Sequence, residues 1–275
     1  MRQRGFLWQG GAWCLGLWLL VGFCNAAKAV ADDLYRAQTV VTGQGEDNRR
    51  VGFAACLEDV LIKVSGAFQL SADPRLAPLK ARAADFVTGF DYHDQMSGKP
   101  KQDEQGTRDR PYDLTVSFDR ARIDDLLKTL GVAPWLAPRP AVAVVVVMTS
   151  GSRSFLVESD ARQSDLQRDA LRAAAAKRGL DIVLPASSAI AQADLGELGP
   201  LDRAPASLFE MLPGAEAKLF GHLTWNDDEL GWRAQWQLES EGQQHRWQQG
   251  GGTFDEAFRR SLGGVAQILS GNGAP

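Results

Sequence analysis

Residues that carry reaction chemistry are scarce in this chain of 275 residues, which has three histidines and three cysteines. His93, His222 and His245 stand apart with no metal-ligand spacing between any two of them, and there is no Gly-x-Ser-x-Gly elbow to present a nucleophile. Cys14 and Cys24 lie in the first 31 residues, so removal of that segment would leave Cys56 with no intramolecular partner for a disulfide. Cys56 falls beside an apolar helical stripe among small residues, where a cysteine acts as a small hydrophobe. Long apolar runs are missing too. The longest, Gly10 to Cys24, is shorter than the roughly 20 residues that span a bilayer.

That run has Arg2 and Arg4 before it and small residues after it, the pattern of a secretory signal. Ala27-Lys28-Ala29 and Ala29-Val30-Ala31 both offer small side chains for cleavage, and processing near Ala31 is expected to release a periplasmic protein without stable membrane insertion. Lipidation at Cys24 and an uncleaved anchor are the alternatives, the first opposed by Phe23 immediately before the cysteine. The segment holds three bases and no acid, so its loss leaves 27 bases against 34 acids, a formal charge of −7 where the whole chain carries −4. Such a surface argues against nucleic acid as a partner.

Three glycine stretches raise the question of phosphate binding. In TGQGEDN the third glycine position of a dinucleotide turn is Asn48, and Glu46 and Asp47 occupy the helix end where the anion would sit. Ser150-Gly151-Ser152 lacks the Gly-Lys-Ser/Thr ending of a phosphate loop, and Gly250-Gly251-Gly252 leads into a helix whose first turn holds Asp255 and Glu256. All three read as turns, and no cofactor is expected.

Periodicity predicts an α+β protein of two packed domains, 32–137 and 138–275, after a signal at 1–31. The first has a strand at LYRAQTVV, a helix bearing Phe53, Leu57, Val60, Leu61 and Val64 that ends at Gly66, and a helix started by Asp73 and Pro74 with Leu76, Leu79, Ala83 and Phe86 inward. A strand near Phe90 and Tyr92, an exposed loop at 94–110, the alternating strand YDLTVSFD and a short helix capped by Asp119 follow. VAPWLAPRP marks the boundary. The second domain opens with AVAVVVVM, whose lack of alternation predicts a central strand covered on both faces. A helix over 164–178 and a strand at LDIVL come next, then two short helices between Pro185 and Gly214. AKLFGHLTW and WRAQWQLES form a hairpin, HRWQQ adds a third strand, and Thr253 with Glu256 caps the terminal helix.

Several stretches together (DVLIKVSG, YDLTVSFD, LLKTLGV, PW, then RP running into AVAVVVV, and the Trp-rich hairpin with its terminal helix) resemble the exported bacterial family catalogued as domain of unknown function 2066. The resemblance covers nearly all of the chain after the signal and implies no activity and no catalytic residues. The element order of the second half is also similar to small α/β modules of envelope proteins, among them the curli secretion lipoprotein and the activators of penicillin-binding proteins, which bind other proteins.

The expectation is therefore a non-enzymatic periplasmic protein working through contacts with an envelope or inner-membrane protein. The candidate interaction face is the outward row of the hairpin, Arg233, Gln235, Gln237 and Glu239. One alternative is a cell-wall or saccharide-binding module using Trp225, Trp232, Trp236 and Trp247, although their alternation with polar residues fits a buried sheet face. The other is a serine-type hydrolase built on Ser150 or Ser152 with one of the histidines.

Overall fold

Side chains that recur every three or four residues need a surface to bury against, and in the first half of this chain that surface is an antiparallel sheet. In the computed structural model, which describes residues 33–98, 102–103, 106–107, 109–193, 206–212 and 214–275, the chain begins with β1 (Arg36–Thr42) and α1 (Glu46–Ser65). It continues through α2 (Leu76–Ala81), β2 (Val87–Asp94), the two-residue strands β3 (Gln102–Asp103) and β4 (Gly106–Thr107), β5 (Pro111–Phe118) and α3 (Arg120–Leu130). The first sheet has the order β1-β5-β2 and is antiparallel throughout. Leu114, Val116 and Phe118 on β5 face Leu57, Val60 and Leu61 on α1, all buried in one core. Helix and sheet meet so closely at Gly52 that a Cβ there would lie 2.4 Å from Leu114. Gly66, at φ +72, ends α1, and Asp119 caps α3 by accepting from the Arg122 backbone.

Two details depart from the sequence reading. Asp73 does not cap a helix at Pro74: its carboxylate accepts from the Arg75 backbone (2.9 Å) and holds the Arg75 guanidinium, closing a separate turn ahead of α2. Nor is the end of the 94–110 stretch exposed, because Arg110 is buried, donating to Asp94 (2.8 Å) and to the Met96 carbonyl (2.6 Å).

The second half comprises β6 (Val142–Ser150), β7 (Arg153–Leu156), α4 (Asp165–Arg178), β8 (Ile182–Val183), α5 (Ser187–Gln192), α6 (Ala206–Glu210), β9 (Ala217–Asn226), β10 (Gly231–Ser240), β11 (Gln243–Gly252) and α7 (Phe254–Leu269). The strand expected over LDIVL is only two residues long. The second sheet runs β11-β10-β9-β6-β7, with β8 beside the start of β6 on the β7 side. β6 is its hub, parallel to β9 and β8 and antiparallel to β7. Val142 to Met148 are at most 1% exposed, the consequence of cover on both faces. Val142, Val144, Val146 and Met148 belong to the core with α4 and α7, and Ala143, Val145 and Val147 to one with Leu208 of α6 and Leu212.

The segment joining the two sheets is fastened at both sides. The Trp135 backbone donates to the Val64 carbonyl at the end of α1 (2.7 Å). Arg139 stacks on the Trp135 ring at 4.1 Å and donates to the carbonyls of Lys63 (2.7 Å) and Trp135 (2.6 Å) through one nitrogen and of Arg178 (2.9 Å) and Gly179 (3.2 Å) through the other. One guanidinium thus serves the carbonyl ends of α1 and α4, where the last turns lack backbone partners and carry partial negative charge. Asn272, beyond α7, donates to the Ser65 carbonyl (2.9 Å), and Gln267 accepts from the Gln69 backbone (2.9 Å). Among the described residues no helix is long and apolar enough to cross a membrane. Residues 1–31, where the sequence reading expects a signal, lie outside them.

Candidate functional site

Strand alternation divides β10 into two rows. Trp232, Ala234, Trp236 and Leu238 point toward α7, while Arg233, Gln235, Gln237 and Glu239 point away. The register sets Gln235 between His222 of β9 and Gln248 of β11, and Gln237 between Phe220 and Arg246. Phe220 is buried in the core beneath α6, so the cover from that helix stops at β9. Beyond it Gln235, Arg246 and Gln248 are exposed and Gln237 is half-buried. A shallow depression of about 240 Å³ lies over Phe220, Gln235, Gln237, Arg246 and Gln248.

Both ends of the row are tied down within the chain. Arg233 pairs with Glu229 from the preceding turn, contact with the guanidinium holding the Glu229 carboxyl below its usual range and the Arg233 pKa above its own. Glu239 lies 3.4 Å from Lys218 on β9. The two charges therefore have partners within the chain, and among the described residues the two glutamines between them keep their amide donors and acceptors available.

The tryptophans lie on the opposite face. Trp236 is 2% exposed and meets Phe258 of α7 edge to face at 6.3 Å between centroids. Its ring fills the space a side chain at position 221 would need: a Cβ on Gly221 would sit 2.1 Å from it. Trp232 and Trp247 pack half-buried against the same core, and Trp225 stacks edge-on against Trp232 at 5.6 Å.

The structure brings His222 to Thr149 rather than to Ser150 or Ser152. Thr149 Oγ1 is 3.1 Å from His222 Nε2 and 2.9 Å from Ser154 Oγ, a hydroxyl-imidazole chain across β7, β6 and β9. Strand alternation explains why: Thr149 is in register with Thr224 and shares its face with His222, whereas Ser150 points to the other side. Sequence reasoning missed Thr149 and Ser154, neighbours across the β6–β7 hairpin whose link to His222 depends on a pairing between segments about seventy residues apart. Among the described residues no group of three or more His, Cys, Asp and Glu is placed to hold a metal ion.

Cys56 is fully buried, and burial together with the nearby Asp59 charge pushes its thiol up to about 12. At the glycine turn, Gly43 takes φ +84 and the Asn48 amide bonds back to the Thr42 carbonyl, while Glu46 and Asp47 stand in the first turn of α1. The Gly43 backbone donates to the Arg110 carbonyl (2.8 Å).

Residues 28–136 match a family model described as domain of unknown function DUF8605. This is not domain of unknown function 2066, the family expected from the sequence, and the match ends before Arg139 and before the second sheet. Comparisons with curated proteins and with solved structures find no match.

Proposed function

We propose that this is a non-enzymatic protein of the cell envelope, exported to the periplasm, that works by contact with another envelope protein through the outward face of β10 and β11. The observation that carries the reading is the asymmetry of the second sheet. One face is sealed by α7, while the other loses its cover past Phe220 and presents Arg233, Gln235, Gln237 and Glu239 with Arg246 and Gln248. A polar surface whose charged ends are already fixed by internal pairs loses little freedom when a complementary protein surface docks on it. The export pattern of the first 31 residues supports the location.

Complementation of a deletion strain tests this. Gln235→Arg together with Gln237→Glu should abolish function while the protein folds and accumulates normally, because a mismatched potential opposes docking. Thr149→Ala and His222→Ala should complement. Failure of a folded His222→Ala variant, with the double glutamine variant active, would sink the contact reading and revive a reaction at the hydroxyl-imidazole chain.

A further inference from the structure

A cavity of about 730 Å³ lies away from that face, at the end of the second sheet. Its walls come from four stretches distant in sequence: the joining segment with Trp135, Pro138 and Pro140, Glu216 just ahead of β9, the β10–β11 turn, and the end of α7 with Ile268 and Leu269. Trp135, Ile268 and Leu269 are half-buried, giving an apolar floor that already packs on the main core.

The rim carries one sign of charge. Glu216, Glu241 and His245 are the ionisable lining residues, and no lysine or arginine is among them. The pairing of Ser240 with Ala217 brings Glu241 and Glu216 to the same end of the sheet, and a backbone bond from Glu216 to Ala141 (3.0 Å) fixes one of them there. Nearby cations are committed elsewhere: Arg139 serves the ends of α1 and α4, and Lys218 faces Glu239 on the other side. Glu241 also takes φ +51 in a two-residue turn with Gly242 at φ +75. Glycine or asparagine adopts that backbone more readily, so the turn holds a carboxylate at the rim where its own geometry favours another residue.

We infer that this cleft binds a basic peptide segment, laying apolar side chains on Trp135, Ile268 and Leu269 and bringing lysine or arginine heads to Glu216 and Glu241. The volume suits a few residues of chain. Long basic side chains match both halves of the lining, since their methylene stems cover apolar surface while their heads remain at a wet rim. The inference shares with the contact reading only the kind of ligand, a polypeptide, and it concerns a separate surface.

Titration of the full-length mature protein with Ac-Lys-Leu-Lys-Leu-Lys-Leu-NH2, read by tryptophan fluorescence and calorimetry, tests it. The peptide should bind, its glutamate counterpart Ac-Glu-Leu-Glu-Leu-Glu-Leu-NH2 should not, and Glu216→Gln with Glu241→Gln should weaken binding on the order of fivefold or more with a weaker salt dependence. Glu241→Gly separates binding from folding: it should weaken binding while the midpoint of unfolding stays level or rises. Gln235→Arg with Gln237→Glu should leave peptide affinity unchanged, so failure at either surface is recognised independently. No binding, equal binding of both peptides, unchanged affinity in the variant with Glu216→Gln and Glu241→Gln, or cadaverine binding as tightly as the peptide would each overturn the assignment.

Discussion

Replacing Arg139 with methionine keeps much of the side chain's length and removes its charge and donors. Four bonds of 3.2 Å or shorter disappear, two at the end of α1 and its neighbour Trp135 and two at the end of α4. Bonds from a charged donor contribute roughly 1.5–3 kcal/mol each, and a cation at a helix C-terminus roughly 0.3–1 kcal/mol per helix. Two effects oppose the loss. The site is half-buried, so water recovers some of the freed carbonyls. The guanidinium is also desolvated in the folded protein, burial pulling its pKa down to about 10, and methionine is spared that cost. The net loss should be about 4 kcal/mol, a fall in Tm of about 10 °C for a chain of this size. Arg139→Lys places one ammonium where two helix ends need a fork, and should lose about half as much. Urea unfolding followed by tryptophan fluorescence measures both. Because Arg139 joins the sheets, the methionine variant should also unfold in two resolved steps. A methionine variant within about 0.5 kcal/mol of the parent, or a lysine variant equal to it, would refute this account of the junction.

Native Cys56 should resist iodoacetamide for hours and react at once in urea; rapid native labelling would contradict its burial. Its raised pKa favours the protonated thiol in the fold, so that contribution to stability is complete below the free thiol's value near 9 and is lost as pH climbs toward about 12. Cys56→Ala should flatten the alkaline decline, leaving the part due to Tyr35, also raised to about 12 by burial and its bond to Asp124. Gly221→Ala should cost about 2–3 kcal/mol by driving a methyl into the Trp236 ring, and combining it with Trp236→Leu should cost less than the two changes separately. Thr253→Ala should cost about 1 kcal/mol, since its hydroxyl accepts from the Glu256 backbone at the start of α7 (3.2 Å); no change in the urea midpoint would count against that cap.

Patterns carried by neighbouring residues were legible from sequence. The uninterrupted valines of β6 announce cover on both faces, and the alternation of Trp232 to Glu239 separates sealed from open rows. The α+β class follows from these. Competing local bonds obscured the start of α2, where Asp73 spends its carboxylate on Arg75. Features made by distant segments were not legible at all. Arg139 stands in a proline-rich stretch with nothing local to say that two helices end there, and the cleft exists only once residues 135–140, 216, 240–245 and 268–274 meet. The Thr149, Ser154 and His222 chain failed to show for the same reason, while Ser150 and Ser152 drew attention by their position in a glycine turn.

The place of β6 at the hub of the second sheet bears on how the chain reaches its fold. β9, β10 and β11 are joined by tight turns, so each can find its neighbour by closing a small loop. β6 must wait for a partner whose register joins Val142 to Ala217 across the whole of α4, α5 and α6, and long closures of that kind slow the search. The three-stranded meander is therefore expected to assemble first and offer β9 as the template on which β6 docks in parallel. Pulse-labelled hydrogen exchange during refolding should protect amides of β10 before those of β6, and the reverse order would show that the hub nucleates the sheet.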